Sequence, residues 1–132
     1  MIDSKELRIG NYVEIGLNRD FKPIISTVKK IEEAVIWVKE PNAPTLRLMP
    51  IETIKPIPLT EEWLLKFGFI ELPDGLFLHS MYSIAYDLSD NTVKVSDSWE
   101  FGDSVKYVHQ LQNLYFALTR EELTLNPTKN AL

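Results

Sequence analysis

The chain has 132 residues, 45% of them apolar, 25% charged and none cysteine, with a net charge of −5. A chain of this length buries enough surface to fold without a staple, and the missing thiols exclude disulfides, thiolate zinc sites and cysteine nucleophiles. The N-terminus MIDSKELRIG lacks the apolar core of a secretory signal, and no apolar run reaches the ~18 residues of a membrane-spanning helix, so a cytoplasmic protein with no membrane partner is expected.

Residues 1–58 read as strands. Leu7 and Ile9, then Tyr12, Val13 and Ile15, flank a turn or bulge signal at Gly10-Asn11. β-branched runs at 24–30 and 34–39 meet at Glu32-Glu33, which predicts a hairpin. Pro41-Asn42-Ala43-Pro44 must be a loop, because proline lacks a ladder donor and restricts the residue before it. Leu46 and Leu48, then Ile51, Ile54 and Ile57, predict a last strand region interrupted at Pro50. Five short strands and no helical period favour a small, strongly bent barrel of Src-homology-3-like architecture.

The period changes after the Pro56–Pro58 stretch. Residues 60–68 predict a short helix, with Thr60 as N-cap, Glu61 and Glu62 in the first turn, a Leu59/Leu64 staple and Gly68 as the stop. Trp63, Leu64 and Phe67 are its core face. Strand segments follow at 69–72, 76–79, 83–88 and 92–95, with turns at Pro73-Asp74-Gly75 and Asp90-Asn91. Residues 97–104 read as a polar loop carrying Trp99. A long helix is then predicted over 105–123, capped by Asp103 or Ser104, and the ordered chain ends at Asn126-Pro127. The fold class is α+β: a barrel lobe over 1–58, a helix–antiparallel sheet–helix lobe over 59–126, and a tail over 127–132.

The long helix carries two stripes. Tyr107, Leu111, Leu114, Tyr115 and Leu118, with Val108 at the edge, form the core stripe. His109, Gln112, Asn113, Phe116 and Arg120 form the second. Its amides and histidine suit a recognition face, or they satisfy loop and sheet-edge backbone in the same molecule. Thr119-Arg120-Glu121-Glu122 matches a capping box, which marks a kink or new short turn, or else Thr119 is an ordinary helical residue. Trp99 is either an interface anchor or a lid on the core. Trp37 and Trp63 sit in apolar patterns that predict core.

No motif of catalysis emerges. There is no H-E-x-x-H, no glycine-rich phosphate loop and no G-x-S-x-G elbow, so no metal, cofactor or reaction is expected. Charge divides unevenly: residues 1–58 hold nine Lys/Arg against eight Asp/Glu, net +1, and residues 59–132 carry −6. The acidic half repels a phosphate backbone. Nucleic-acid binding would have to use Arg8, Lys29, Lys30 and Arg47 of the barrel. The leading expectation is another protein as partner, met through His109, Gln112, Asn113, Phe116 and Trp99.

Three blocks, ELRIGNYV at 6–13, PIPLTEEWLLKFGF at 56–69 and YVHQLQNLYFALTREEL at 107–123, resemble uncharacterised small proteins from Bacteroidetes genomes and their phages and prophages. The resemblance implies a small cytoplasmic protein of phage or mobile-element type, with no activity to carry over. That group reads A-L-T-G-E-E-L where this chain has Arg120, so a glycine-dependent kink after Thr119 is not expected to carry over unchanged.

Overall fold

A computed structural model describes residues 2–79, 84–95, 99–101 and 105–125, the last strand by its backbone. The chain is α+β, with two antiparallel sheets and one main helix. It divides into two compact units: Met1–Pro58 with Tyr107–Leu114, and Leu59–Lys106 with Tyr115–Leu132. Among the described residues no helix is long and apolar enough to cross a membrane.

In the first unit, β1 (Tyr12–Leu17), β2 (Pro23–Ile31), β3 (Val35–Lys39) and β4 (Arg47–Pro50) form a meander in sequence order. The sheet curls into a half-barrel. Glu14 and Lys55 exchange both backbone hydrogen bonds, at 3.0 and 2.9 Å, so the chain after β4 returns to the free edge of β1. Alternation decides the core: Val13 and Ile15, Val28, Ile36 and Val38 point inward and pack with Ile2, Leu7 and Ile54. Trp37 belongs to the opposite, outer face, where it is half-buried, because its strand neighbours Ile36 and Val38 take the inward positions. The expected strand over 51–57 is replaced by a 3-10 turn at Ile51–Thr53, with the Thr53 hydroxyl donating to Pro50 O at 2.7 Å. Pro56 and Pro58 then remove two ladder donors. A second 3-10 turn, Ser4–Glu6, opens the chain and is closed by a capping box between Asp3 and Glu6.

In the second unit, α1 (Glu61–Lys66) has both expected ends. Trp63 N donates to the Thr60 hydroxyl, Gly68 sits at φ +92, and Phe69 N donates to Leu64 O while Gly68 N donates to Leu65 O. That pair of bonds is a Schellman stop, with Leu64 and Phe69 both buried beside it. Phe67 is buried and Trp63 half-buried, their rings 5.7 Å apart. A five-stranded meander follows: β5 (Ile70–Glu71), β6 (Leu76–His79), β7 (Ile84–Asp87), β8 (Thr92–Val95) and β9 (Trp99–Phe101). The last strand corrects the expected loop. Val93, Lys94 and Val95 pair with Phe101, Glu100 and Trp99, because an aromatic–x–aromatic segment fits the open edge of β8.

Helix α2 spans Val108–Thr119, a shorter helix than expected at both ends. Tyr107 takes the N-cap position and its N–H donates to Gln110 Oε1 at 3.1 Å, the return half of a capping box. The cap proposed at Asp103 or Ser104, like the tail from Asn126, lies outside the described residues. Leu118 is a further correction: it is exposed. The buried line runs through Val108, Leu111, Gln112 and Tyr115 toward Thr119, which turns Leu118 roughly 100° aside. No new turn begins at Thr119. Its hydroxyl accepts from Glu121 N at 3.1 Å and donates to Tyr115 O at 2.8 Å, closing the helix. Arg120 adopts the left-handed conformation, φ +63. That conformation costs an L residue about 1–2 kcal/mol.

Candidate functional site

The polar stripe of α2 begins to make sense at the Arg8–Asn11 turn of the first unit. Asn11 N donates to Arg8 O at 3.1 Å, and Gly10 at φ +102 supplies the left-handed position such a turn requires. Gly10 N and Val28 N bind Val28 O and Asn11 O, at 2.9 Å each, which fixes the turn to β2. The Asn11 side chain folds back, its Oδ1 accepting from Arg8 N at 2.7 Å.

Two amides of α2 complete this turn. Gln112 Oε1 accepts from Tyr12 N at 2.9 Å, and its Nε2 donates to Gly10 O at 3.0 Å. Asn113 Nδ2 donates to Glu6 O at 2.7 Å, while its Oδ1 accepts from Asn11 Nδ2 at 2.9 Å and Arg8 Nη1 at 3.0 Å. Asn11 and Gln112 are fully buried. Each amide therefore has partners for both its donor and acceptor ends, the condition under which a buried polar network stabilises instead of destabilising. The arrangement is a clasp that ties the chain entry to the first turns of α2.

His109 lies next to the clasp and is only 1% exposed. Its ring stacks on Tyr107, with 6.0 Å between centroids and 14° between planes. Glu6 Oε1 is 3.8 Å from Nε2, too far for a hydrogen bond. Among the described residues neither ring nitrogen has a hydrogen-bond partner. Burial lowers the His109 pKa, and the nearby Glu6 carboxylate opposes this without reversing it. His79 of the second unit is similarly lowered by burial and packs edge-on to Phe69 and Tyr115 at 5.2 Å each.

The sign of the resulting pH dependence follows. A histidine held below its unfolded pKa contributes stability that is complete above that value, near 6.5, and is lost progressively as pH falls from there toward the lowered folded value. Urea midpoints should therefore drop between pH 7 and pH 5, before carboxylates titrate, and His109→Gln should flatten part of that drop. Stability that rises over the same interval would mean that the Glu6 attraction dominates.

The structure brings together His109, Gln112 and Asn113 in the first unit. Phe116 is exposed on a later turn of α2, within the second unit. Trp99 is in β9, but its side chain lies outside the described residues. The four proposed nucleic-acid contacts are also dispersed in role. Arg8 is held by Asn113, Lys30 lies 3.6 Å from Glu32, and Arg47 lies 3.5 Å from Glu40. Lys29 is the extra residue of a β-bulge in β2 and is exposed. Among the described residues no group of three His, Asp or Glu could hold a metal.

Sequence reasoning missed Asn11 as the centre of the clasp, though Gly10-Asn11 was legible as a turn. It also missed the outer sheet face around Trp37. Leu48 pairs with Trp37, which pairs with Lys30, and Leu48 is 49% exposed. The Trp37 indole donates to Glu32 Oε1 at 3.0 Å, and the Lys30 ammonium sits 6.0 Å from its ring centroid.

Compared with protein-family models, with curated proteins and with solved structures, the chain has no match.

Proposed function

We propose that the chain is a cytoplasmic protein-binding or adaptor module of phage or mobile-element type, acting without catalysis. The carrying observation is the outer face of the first sheet. Leu48 is exposed and pairs with a tryptophan whose orientation is held by Glu32 and Lys30. An apolar side chain next to a fixed, amphipathic aromatic ring is the composition of an interface centre. The return of the chain at Lys55 to β1 supports reading this unit as a Src-homology-3-like small barrel. The resemblance of three sequence blocks to small Bacteroidetes and phage proteins is the basis for the biological setting. His109, Gln112 and Asn113 contribute in this reading by holding the platform, with Phe116 and Trp99 as further candidate contacts on the second unit.

The test is recovery of partners from host lysate by the wild-type chain and by Leu48→Asp. A charge placed in an interface centre is expected to reduce recovery at least tenfold while the circular dichroism spectrum is retained. Equal recovery by the folded variant would remove the sheet face from consideration.

Nucleic-acid binding through Arg8, Lys29, Lys30 and Arg47 is the alternative, favoured by the bulge that exposes Lys29 and Lys30 together. Its weakness is that three of the four cations already have partners. Mobility-shift titration at low and moderate salt separates the readings, since phosphate contacts weaken steeply as salt rises.

A further inference from the structure

The hairpin end between β1 and β2 holds an aromatic side chain in a position the fold does not require. Phe21 is 82% exposed and stands at φ +60. A bulky residue in the left-handed region is strained, and strain that the core does not explain directs attention to function. The strain is imposed by a rigid frame. Asn18 N donates to Lys22 O at 2.9 Å and Phe21 N donates to Asn18 O at 3.0 Å. The Asn18 side-chain oxygen accepts from Asp20 N at 2.8 Å and Lys22 N at 3.1 Å. The ring is therefore projected from a preorganised turn.

A second apolar side chain joins it. The β1–β2 register shifts between Glu14 and Leu17, and Gly16 at φ +136 supplies the bend. Bulges of this kind re-aim side chains. Leu17, paired with Pro23, is left 55% exposed at the base of the same turn. Arg19 and Lys22 flank Phe21, are exposed, and have no ion-pair partner among the described residues. Asp20 is the single acid between them.

We infer that this hairpin end is an anchor that seats Phe21 in an apolar pocket of a partner protein, with Asp or Glu on the pocket rim facing Arg19 and Lys22. The inference deepens the protein-binding reading and rests on it, while assigning the contact to different residues from the sheet face. Two arguments select a protein over a lipid surface. A fixed ring orientation lowers the ordering cost of entering a shaped pocket, and a bilayer rewards no particular orientation. A myristoyl chain alone gives a membrane association constant of only about 10⁴ M⁻¹, and Phe21 with Leu17 offers less apolar length. The net charge of −5 also opposes an extended anionic surface, whereas a pocket rim acts within a Debye length of about 8 Å.

The experiment places a photo-crosslinking benzoylphenylalanine at position 21 or at position 48 of the full chain, irradiates in host lysate and maps the adducts. The expected result is an adduct from position 21 at an apolar site bordered by Asp or Glu. Excess wild-type chain should compete it away at least tenfold better than Phe21→Ala or Arg19→Glu/Lys22→Glu. Adducts from position 48 alone would overturn the anchor and leave the protein-binding reading standing. Adducts from neither position would overturn both. Co-sedimentation with phosphatidylglycerol vesicles that Phe21→Ala abolishes would overturn the protein pocket in favour of a membrane. Phe21→Gly, which relieves the backbone, should leave the melting temperature equal or higher. A fall of several degrees would make Phe21 a structural residue and overturn the anchor.

Discussion

Gln112→Leu is expected to destabilise the fold by about 2–4 kcal/mol, the largest single effect predicted for a polar side chain here. The substitution conserves volume and apolar packing, so the loss isolates the amide. Two backbone groups lose their partners: the Tyr12 N–H, held at 2.9 Å, and the Gly10 carbonyl, held at 3.0 Å. An unsatisfied buried backbone group costs roughly 1–3 kcal/mol, against which the added apolar burial of leucine returns part. Against a typical total stability of about 5–15 kcal/mol this is a large fraction. Urea denaturation should report it as a lower midpoint at unchanged slope, since the surface exposed on unfolding does not change. A loss within about 0.5 kcal/mol, the range of ordinary surface substitutions, would mean that water replaces the amide at no cost.

The second large effect is in the other unit. Tyr86 is fully buried, and its hydroxyl donates to Val105 O. A phenol has one proton, so the Asn91 amide at 3.1 Å serves the phenol oxygen through its NH₂ group, in the alternative orientation of the two nearly indistinguishable amide ends. Val105 N itself donates to Asn91 O at 3.1 Å, a second tie between the same two segments. Tyr86→Phe should cost about 2 kcal/mol, chiefly by leaving the buried Val105 carbonyl unpaired. The same burial, aided by Asp90 and Asp87, pushes the Tyr86 pKa up to about 12. A phenol raised above its unfolded value stabilises below pH 10 and loses that contribution as pH rises from there toward 12. Spectrophotometric titration should show one tyrosine ionising late and absent from the variant. A variant as stable as wild type would reduce the Val105 contact to mere proximity.

These two sites mark the boundary of what a sequence reveals. Helix α1 was legible because its signals are local: Thr60 at the start, Gly68 at the stop, and an apolar face between them. The meanders were legible from alternation and turn residues for the same reason. Strand β9 was not, because Trp99–Phe101 becomes a strand only through the free edge of β8. Leu118 fits the helical period as well as Tyr115 does. Which neighbouring stripe is buried depends on where the rest of the fold lies, and no helix period contains that.

The candidate site was legible by half. The amide density of 109–113 is visible in the sequence, and internal pairing was one of its two readings. The partner Asn11 is 102 residues from Asn113, beyond any local pattern. The left-handed Phe21 and Arg120 were equally hidden, since residue type argues against that conformation at both. At Phe21 the mismatch between residue and backbone is the signal, and it exists only once the backbone is known.

The polar stripe of α2 is a clasp and not a free surface. A double-mutant cycle on Asn11→Ala and Asn113→Ala, read by urea unfolding, tests it most directly. The two side chains meet at 2.9 Å and share Arg8 as a partner. The predicted coupling energy is about 1 kcal/mol or more, within the range for groups in one hydrogen-bond network. Effects that add to within about 0.3–0.5 kcal/mol, as for independent sites, would contradict the clasp and return Asn113 to the surface as a residue free to meet a partner.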